Sequence, residues 1–255
     1  MYERIVIKVG TNVLTRPDGR LDVTNISQLV DQIAELKRAG VSLVLVSSGA
    51  VGAGRELLTV GEEFGDVARR QVLSSIGQVR LMELYRQLFA GHGLLCAQVL
   101  ATKGDFRDDR HADNMLNCFQ ALLHDQIVPV VNENDVVAVT ELMFTDNDEL
   151  AGLVAKLLQV DALVILSSVD GLYDGPPDAP GSRLIRKLSA DDERAQGFVQ
   201  EKKTSFGRGG MGTKLRIATK TARGGIPVLL GNGRTPGILG SLRLEEWPGT
   251  LVVRS

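Results

Sequence analysis

The chain has 255 residues, a formal net charge of −2 and two cysteines. A chain of this length buries roughly 70–75% of its unfolded surface, so it needs no disulfide framework, and two cysteines cannot supply a structural zinc site. The near-neutral charge argues against a nucleic-acid binder, which needs a basic surface. The chain starts without a signal-peptide pattern, and its longest uncharged run, residues 39–54, is too short to span a bilayer. We therefore expect a cytoplasmic protein that binds neither nucleic acid nor membrane.

Apolar runs alternate with helical patterns along the first half of the chain, which is typical of an α/β protein with a mainly parallel sheet. A cap at Thr24 or Asn25 is expected to start the first helix, and Gly40 to end it. Pro129 favours an edge strand or a strand end. The predicted strands cover residues 5–9, 41–46, 94–100 and 127–131, and two further helices cover residues 66–90 and 112–123.

The second half of the chain continues the same alternation. A helix is predicted over residues 149–158, a strand over 162–166, a helix over 213–223, and strands over 226–230 and 249–253. Proline and glycine predict a loop over residues 174–182, and the charged segment 189–206 predicts only a helix with a loop. No internal repeat is visible, and the loop is compatible with a lobe boundary near residue 160.

Three glycine-rich turns follow strands or open helices, at residues 10–11, 49–54 and 207–212. Such turns let backbone N–H groups approach phosphate oxygens, although the same glycines could serve only tight turns between a strand and a helix. The turn at residues 49–54 does not have the dinucleotide spacing G-x-G-x-x-G, and the phosphate-loop pattern G-x-x-x-x-G-K-[ST] does not occur in the chain. No phosphate-loop motif is therefore indicated.

Two lysines stand in unusual places. Lys8 lies within an otherwise apolar strand, directly before Gly10, which favours a site at the carboxyl end of that strand. Lys214 is predicted at the start of a helix, where the helix macrodipole opposes a cation. Its position calls for a compensating anion, and a phosphate would serve, although Lys214 could also be solvated.

Carboxylates and amides are concentrated in residues 132–135 and 146–148. Such residues often cap turns at strand ends, but their mixture also suits a ligand that carries an ammonium group and carboxylates. They do not match a calcium loop.

The histidines and cysteines show no catalytic pattern. His92, His111 and His124 have no metal-ligand spacing, so surface or structural roles are expected. Cys118 lies in a predicted helix, where we expect it to pack against neighbouring residues.

Five segments in this order resemble the amino-acid kinase family, and within it the kinases of glutamate. They are Lys8-Val9-Gly10-Thr11-Asn12, Ser47-Ser48-Gly49-Ala50-Val51, Val131-Asn132-Glu133-Asn134-Asp135, Asp146-Asn147-Asp148 and Gly209-Gly210-Met211-Gly212-Thr213-Lys214. The resemblance runs from residue 4 to about residue 253. It implies a three-layer α/β/α sandwich around a mainly parallel sheet, with an acceptor-binding lobe over residues 1–160 and a nucleotide-binding lobe over 161–255. Many members carry a C-terminal PUA domain, and the chain is expected to be a short form without one.

The resemblance also implies roles for individual residues. Lys8 would contact the ATP phosphates, Lys214 would contact the transferring phosphoryl group, and Asp148 would orient both lysines. Glutamate would be bound by Ser48, Gly49, Ala50, Asp135 and Asn147. The nucleotide would be bound by Lys8, Gly10, Ser167, Ser168, Gly207, Arg208, Gly209, Gly210, Met211, Gly212, Thr213 and Lys214. Ser167 and Ser168 stand where some relatives have Thr-Asp, a departure that affects the base and ribose contacts.

The implied reaction is phosphorylation of the L-glutamate γ-carboxylate by ATP and Mg²⁺, the first step of proline biosynthesis. A γ-carboxylate with a reference pKa of about 4.3 is already ionised at pH 7, so positioning and charge neutralisation carry the catalysis. The backbone N–H groups of Gly10 and Gly49 are expected to assist the lysines. No protein metal site is expected, while feedback inhibition by L-proline and a homo-oligomer are.

Two alternatives remain open. An N-acetylglutamate or carbamate kinase would share the fold, but a carboxylate at Asp135 suits a free α-ammonium better than an acetylated amine. A nucleotide sensor without activity would have no use for both lysines and Asp148.

Overall fold

The computed structural model describes residues 2–61, 63–138, 144, 146–192, 197, 210–242 and 246–255. Within these residues, apolar runs form one eight-stranded sheet in the order β3-β4-β2-β1-β5-β7-β8-β6, in which only the β7–β8 pair is antiparallel. The strands are β1 (Arg4–Val9), β2 (Ser42–Ser47), β3 (Cys96–Ala101), β4 (Val128–Glu133), β5 (Ala162–Ser167), β6 (Lys187–Ser189), β7 (Val228–Asn232) and β8 (Thr250–Val253).

Helices cover both faces of the sheet. They are α1 (Thr11–Leu14), α2 (Val23–Arg38), α3 (Ala50–Arg55), α4 (Asp66–Ala90), α5 (Asp109–His124), α6 (Asn147–Leu158) and α7 (Met211–Arg223), with short 3₁₀ turns at Gly104–Phe106 and Ile238–Ser241. No helix in the described ranges is both long enough and apolar enough to cross a membrane.

The central strand β1 contributes to two separate cores because its side chains alternate between the faces of the sheet. Ile5, Ile7 and Val9 pack with α1, α2 and α4, whereas Val6 packs with α5, α6 and α7. The predicted three-layer α/β/α sandwich with a mainly parallel sheet is therefore confirmed. Lys8 is on the same face of β1 as Val6, the face covered by α6.

Several local predictions need correction. The side chain of Asp22, rather than Thr24 or Asn25, caps α2 by accepting the N–H of Asn25. Pro129 is not in an edge strand, because β4 lies between β3 and β2. It is at a strand end as predicted, one residue before the pairing with β2 begins at Val130.

Three elements were not predicted, and one of them is the four-residue helix α1. The glycine-rich segment after Gly49 is the short helix α3, and its register against α4 depends on close backbone approach: a Cβ added at Gly77 would lie 1.8 Å from the carbonyl oxygen of Ala50. Strand β6 was missed because its three residues are too few to show a period. Most of the segment predicted as helix and loop, residues 193–196 and 198–206, lies outside the described residues.

Candidate active site

The carboxyl ends of β1, β2, β4 and β5 meet at one edge of the sheet, because neighbouring strands there run parallel. The residues that follow these strands line a cavity of about 530 Å³, together with the first turns of α6 and α7. This volume is within the 300–1,000 Å³ range typical of small-molecule sites.

One carboxylate joins two lysines in the wall of the cavity. The Nζ of Lys8 lies 2.6 Å from Oδ1 of Asp148, and the Nζ of Lys214 lies 3.0 Å from Oδ2 of the same residue. Asp148 is fully buried and Lys8 is 4% exposed. The two ammonium groups share this one carboxylate, so both can also interact with an anionic ligand.

Two helix starts hold this arrangement. Asp146 caps α6 by accepting the N–H groups of Asp148 (3.0 Å) and Glu149 (3.2 Å), and Asp148 in the first turn is favoured by the positive end of the helix. Helix α7 begins at Met211, two residues earlier than predicted, which places Lys214 in its first turn. The compensating anion that this lysine requires is supplied by Asp148.

Burial and charge shift the pKa values of these groups. Burial lowers the pKa of Lys8, Lys214 lowers it further, and the ion pair with Asp148 opposes both effects. Burial alone would raise the pKa of Asp148, but the two ammonium groups outweigh it and lower that pKa to about 2. Burial and the neighbouring Asp148 charge raise the pKa of Asp146.

The side-chain amide of Asn147 connects the ends of two strands, β2 and β4. Its Nδ2 donates to the carbonyl oxygen of Ser47 (3.0 Å), to Oγ of Ser48 (3.1 Å) and to Oδ1 of Asn132 (2.9 Å). Asn132 in turn donates from Nδ2 to Oε1 of Gln78 on α4. These bonds fix the cavity wall between β2, β4 and α6.

An acidic pair with a guanidinium forms another part of the wall. The Nε and Nη2 of Arg70 lie 2.9 and 2.5 Å from Oδ1 of Asp135, and Nη2 lies 3.3 Å from Oε2 of Glu133. Burial raises the pKa of Asp135, against the effect of Arg70. Burial, with the charge of Asp135 adding to it, raises the pKa of Glu133 to about 7.

The structure brings most of the predicted site residues together. Thirteen line the cavity, namely Lys8, Gly10, Ser48, Gly49, Ala50, Asp135, Asn147, Asp148, Ser167, Ser168, Gly210, Met211 and Lys214. Gly212 and Thr213 lie in the first turn of α7 but are not among the cavity-lining residues. Gly207, Arg208 and Gly209 lie outside the described residues.

The prediction that the N–H group of Gly10 assists the lysines is wrong. That group donates to the carbonyl oxygen of Leu166 at 3.1 Å, so it serves the packing of β1 against β5. Gly49 has φ 101°, a left-handed conformation that favours glycine, and it precedes α3. Its N–H group has no acceptor among the described residues.

Sequence patterns missed two cationic residues of the cavity, Arg55 and Arg70. Arg70 lies 65 positions before Asp135, in a helix whose pattern shows only its apolar face, so no local signal could have paired them. Glu133 and Asp146 also line the cavity; they belong to the predicted acidic segments but had no assigned role.

The histidines contact carboxylates away from the cavity: His92 contacts Asp31, His111 contacts Asp105 and His124 contacts Asp125. Their predicted surface roles are confirmed.

Cys118 is exposed on α5, so the prediction that it packs against neighbouring residues is wrong. Within the described ranges, no three His, Cys, Asp or Glu side chains group in a way that could hold a metal ion.

Comparison with known proteins identifies the family. The amino acid kinase family profile matches residues 3–232. The glutamate 5-kinase of Chlorobaculum tepidum is 51% identical over 250 residues, which cover 98% of this chain and 69% of that protein. The glutamate 5-kinase of Bacteroides thetaiotaomicron is 48% identical over 253 residues, which cover 99% of this chain and 70% of that protein. The structure of Giardia lamblia carbamate kinase bound to AMP-PNP matches with a TM-score of 0.70 at 20% identity, covering 99% of each chain, which supports the fold. The chain therefore belongs to the amino-acid kinase family, and its identity to these relatives places it among the glutamate 5-kinases.

Proposed function

We propose that the chain transfers the γ-phosphoryl group of ATP to the γ-carboxylate of L-glutamate, which yields ADP and L-glutamyl 5-phosphate at the first step of proline biosynthesis. The observation that carries this proposal is the buried contact of Lys8 and Lys214 with Asp148 in the cavity wall. The identity to glutamate 5-kinases supports the choice of acceptor.

The two lysines would act on charge rather than on a proton. An ionised γ-carboxylate must approach a polyanionic triphosphate, and two ammonium groups reduce the repulsion between them. Lys8 would contact the ATP phosphates and Lys214 the transferring phosphoryl group. Asp148 would hold both lysines in place before the substrates arrive, so that no reorganisation is needed during the transfer.

The residues present fit a magnesium ion that arrives with ATP. Mg²⁺ binds one or two protein carboxylates and fills its other positions with phosphate oxygens and water. Asp146 lines the cavity, and its buried Oδ2 accepts no hydrogen bond from the described residues. Asp146 would therefore hold the ion together with the phosphates. When bound, the ion supplies neutralisation of charge on the β- and γ-phosphates.

The remaining cavity residues divide between acceptor and nucleotide. Ser48, Gly49, Ala50, Asp135 and Asn147 would bind glutamate, in a lobe formed by residues 1–160. The nucleotide would lie against the lobe formed by residues 161–255, near Ser167, Ser168, Gly210 and Met211. L-Proline shares the α-carboxylate and the cationic amine of glutamate but lacks the γ-carboxylate, so we propose that it competes for the same pocket as a feedback inhibitor.

The test is hydroxamate formation with ATP and Mg²⁺ across glutamate, N-acetylglutamate, aspartate and carbamate. We expect activity with glutamate, and a kcat at least ~10²-fold lower in Lys8→Ala and Lys214→Ala, since each removes charge stabilisation from the transition state. The KM for glutamate should change less than kcat.

Lys103→Ala is the matched control, because Lys103 pairs with Glu149 (2.6 Å) and does not line the cavity. It should keep kcat near the wild-type value. Near-wild-type turnover in both cavity variants would remove the assigned role of the lysines, and activity confined to N-acetylglutamate would overturn the acceptor.

A further inference from the structure

We propose that Arg70 binds the α-carboxylate of the acceptor, beside Asp135, which binds its α-ammonium. The inference rests on the proposed function and deepens it, because it adds a specificity-determining residue that no sequence motif indicated.

Arg70 is placed to meet a ligand. It extends from α4, lines the cavity, and keeps 33% of its side chain exposed. Its contacts to Asp135 and Glu133 use Nε and Nη2. A guanidinium carries five N–H donors, and Nη1 has no acceptor among the described residues. Arg70 therefore has donors left for a further carboxylate.

The pair of Arg70 and Asp135 has the charge pattern that an amino acid requires. An α-amino acid carries its ammonium and its carboxylate on the same carbon atom, so its receptor must present an anion and a cation side by side. Asp135 and Arg70 lie 2.5 Å apart at their closest atoms. Before the acceptor binds, each neutralises the other, which avoids an unpaired charge in a partly buried wall.

Glu133 keeps Arg70 in position when Asp135 turns toward an ammonium group. Its Oε2 contacts Nη2 of Arg70 at 3.3 Å, while its Oε1 accepts the N–H of Phe144 at 2.8 Å. The guanidinium thus retains a carboxyl group of β4 as a neighbour, while its remaining donors are available to the acceptor. The planar fork of arginine suits bidentate binding of a carboxylate, which a lysine cannot reproduce.

A purely structural role for Arg70 makes a different prediction. Arg70 would then only hold the turn after β4, as the neighbouring Gln71 does by donating from Nε2 to the carbonyl oxygen of Val136 at 2.6 Å. Loss of such a structural contact would weaken the binding of every acceptor that contacts Asp135, whether or not the acceptor carries an α-carboxylate.

The experiment compares L-glutamate with 4-aminobutyrate, which keeps the amine and the reacting carboxylate but lacks the α-carboxylate. Both are measured as substrates, and 4-aminobutyrate also as a competitive inhibitor of glutamate phosphorylation. In Arg70→Met we expect kcat/KM for glutamate to fall about 10- to 150-fold, the effect of one lost charge-assisted hydrogen bond. The kcat/KM and the inhibition constant of 4-aminobutyrate should stay within about 3-fold of their wild-type values.

Two further variants and a stability measurement complete the test. Arg70→Lys should recover only part of the glutamate kcat/KM, and Gln71→Ala should leave the preference between the two acceptors unchanged. Urea unfolding checks that all variants are folded. An equal loss for both acceptors in Arg70→Met, or full activity in Arg70→Lys, would overturn the inference while the proposed function stands. A wild-type protein that phosphorylates no glutamate would overturn the function itself.

Discussion

Replacing Asp148 by asparagine tests the charge arrangement at the centre of the site. Asparagine keeps the size of the side chain but removes the negative charge between Lys8 and Lys214. The two ammonium groups then face each other in the wall without the carboxylate that contacts both of them. We expect the folded protein to be markedly less stable at pH 7.

The magnitude follows from burial and from the pKa of the carboxyl group. Lowering the pKa of Asp148 from 3.8 to about 2 corresponds to a stabilisation on the order of 2 kcal/mol, net of the cost of burial. Removing one partner of a buried ion pair costs about 3–5 kcal/mol, because the remaining charge is left uncompensated. The expected loss in the free energy of unfolding is therefore about 3–5 kcal/mol.

The pH dependence has a defined sign. Because the folded-state pKa of Asp148 is lowered, its contribution is present above pH 3.8 and is lost as the pH falls toward 2. The difference in stability between wild type and Asp148→Asn should thus be full at about pH 5–8, which lies above the unfolded pKa of 3.8.

The assay is urea unfolding at pH 7 of wild type, Asp148→Asn, Lys8→Met and the double variant. The double variant should be less destabilised than the sum of the single variants, since the second change removes a charge that the first left uncompensated. Glu149→Gln is the matched control: it is in the same turn of α6 and pairs with the partly exposed Lys103, so a loss of about 1 kcal/mol or less is expected. A loss below about 1 kcal/mol in Asp148→Asn, or strict additivity in the double variant, would refute the reasoning.

Two further predictions concern stability. The raised pKa of Glu133, about 7 in the folded protein against 4.5 unperturbed, stabilises the fold below pH 4.5, and this contribution is lost as the pH rises through 7. Glu133→Gln should therefore show a smaller loss of stability than wild type between pH 5 and pH 8 in urea unfolding. Gly77→Ala should lower the free energy of unfolding by about 1–3 kcal/mol, because its Cβ would lie 1.8 Å from the carbonyl oxygen of Ala50 and force α3 from α4.

Each of these predictions has a clear contrary outcome. Parallel pH profiles for wild type and Glu133→Gln would show that Glu133 is ionised across this range in the folded protein. Helix propensity alone predicts that Gly77→Ala gains about 0.5–1 kcal/mol, so a more stable variant would show that the contact between α3 and α4 relaxes freely. Gly65→Ala is the control, since a Cβ there has no neighbour within 4 Å.

Local pattern was sufficient for the elements whose apolar face is long and regular. Helix α4 extends over Asp66–Ala90 as predicted, and the buried runs of β1, β2 and β5 were placed to within a residue or two. The convergence of Lys8, Asn147 and Asp148 was also predictable, through the resemblance and because the ends of parallel strands meet at one edge of a sheet. These features depend on the spacing of residue types along the chain, which can be read directly from the sequence.

Contacts between distant segments were decided only by the tertiary structure. The N–H of Gly10 bonds Leu166 because β5 lies next to β1, and Pro129 is in an interior strand because β3 pairs beyond β4. Helix α3 forms in a glycine-rich segment because it packs closely on α4. Arg70, which contacts Asp135, also lies on α4. Periodicity specifies which face of an element is apolar, but not which element will cover it, since that choice depends on surfaces that meet only when the chain has folded.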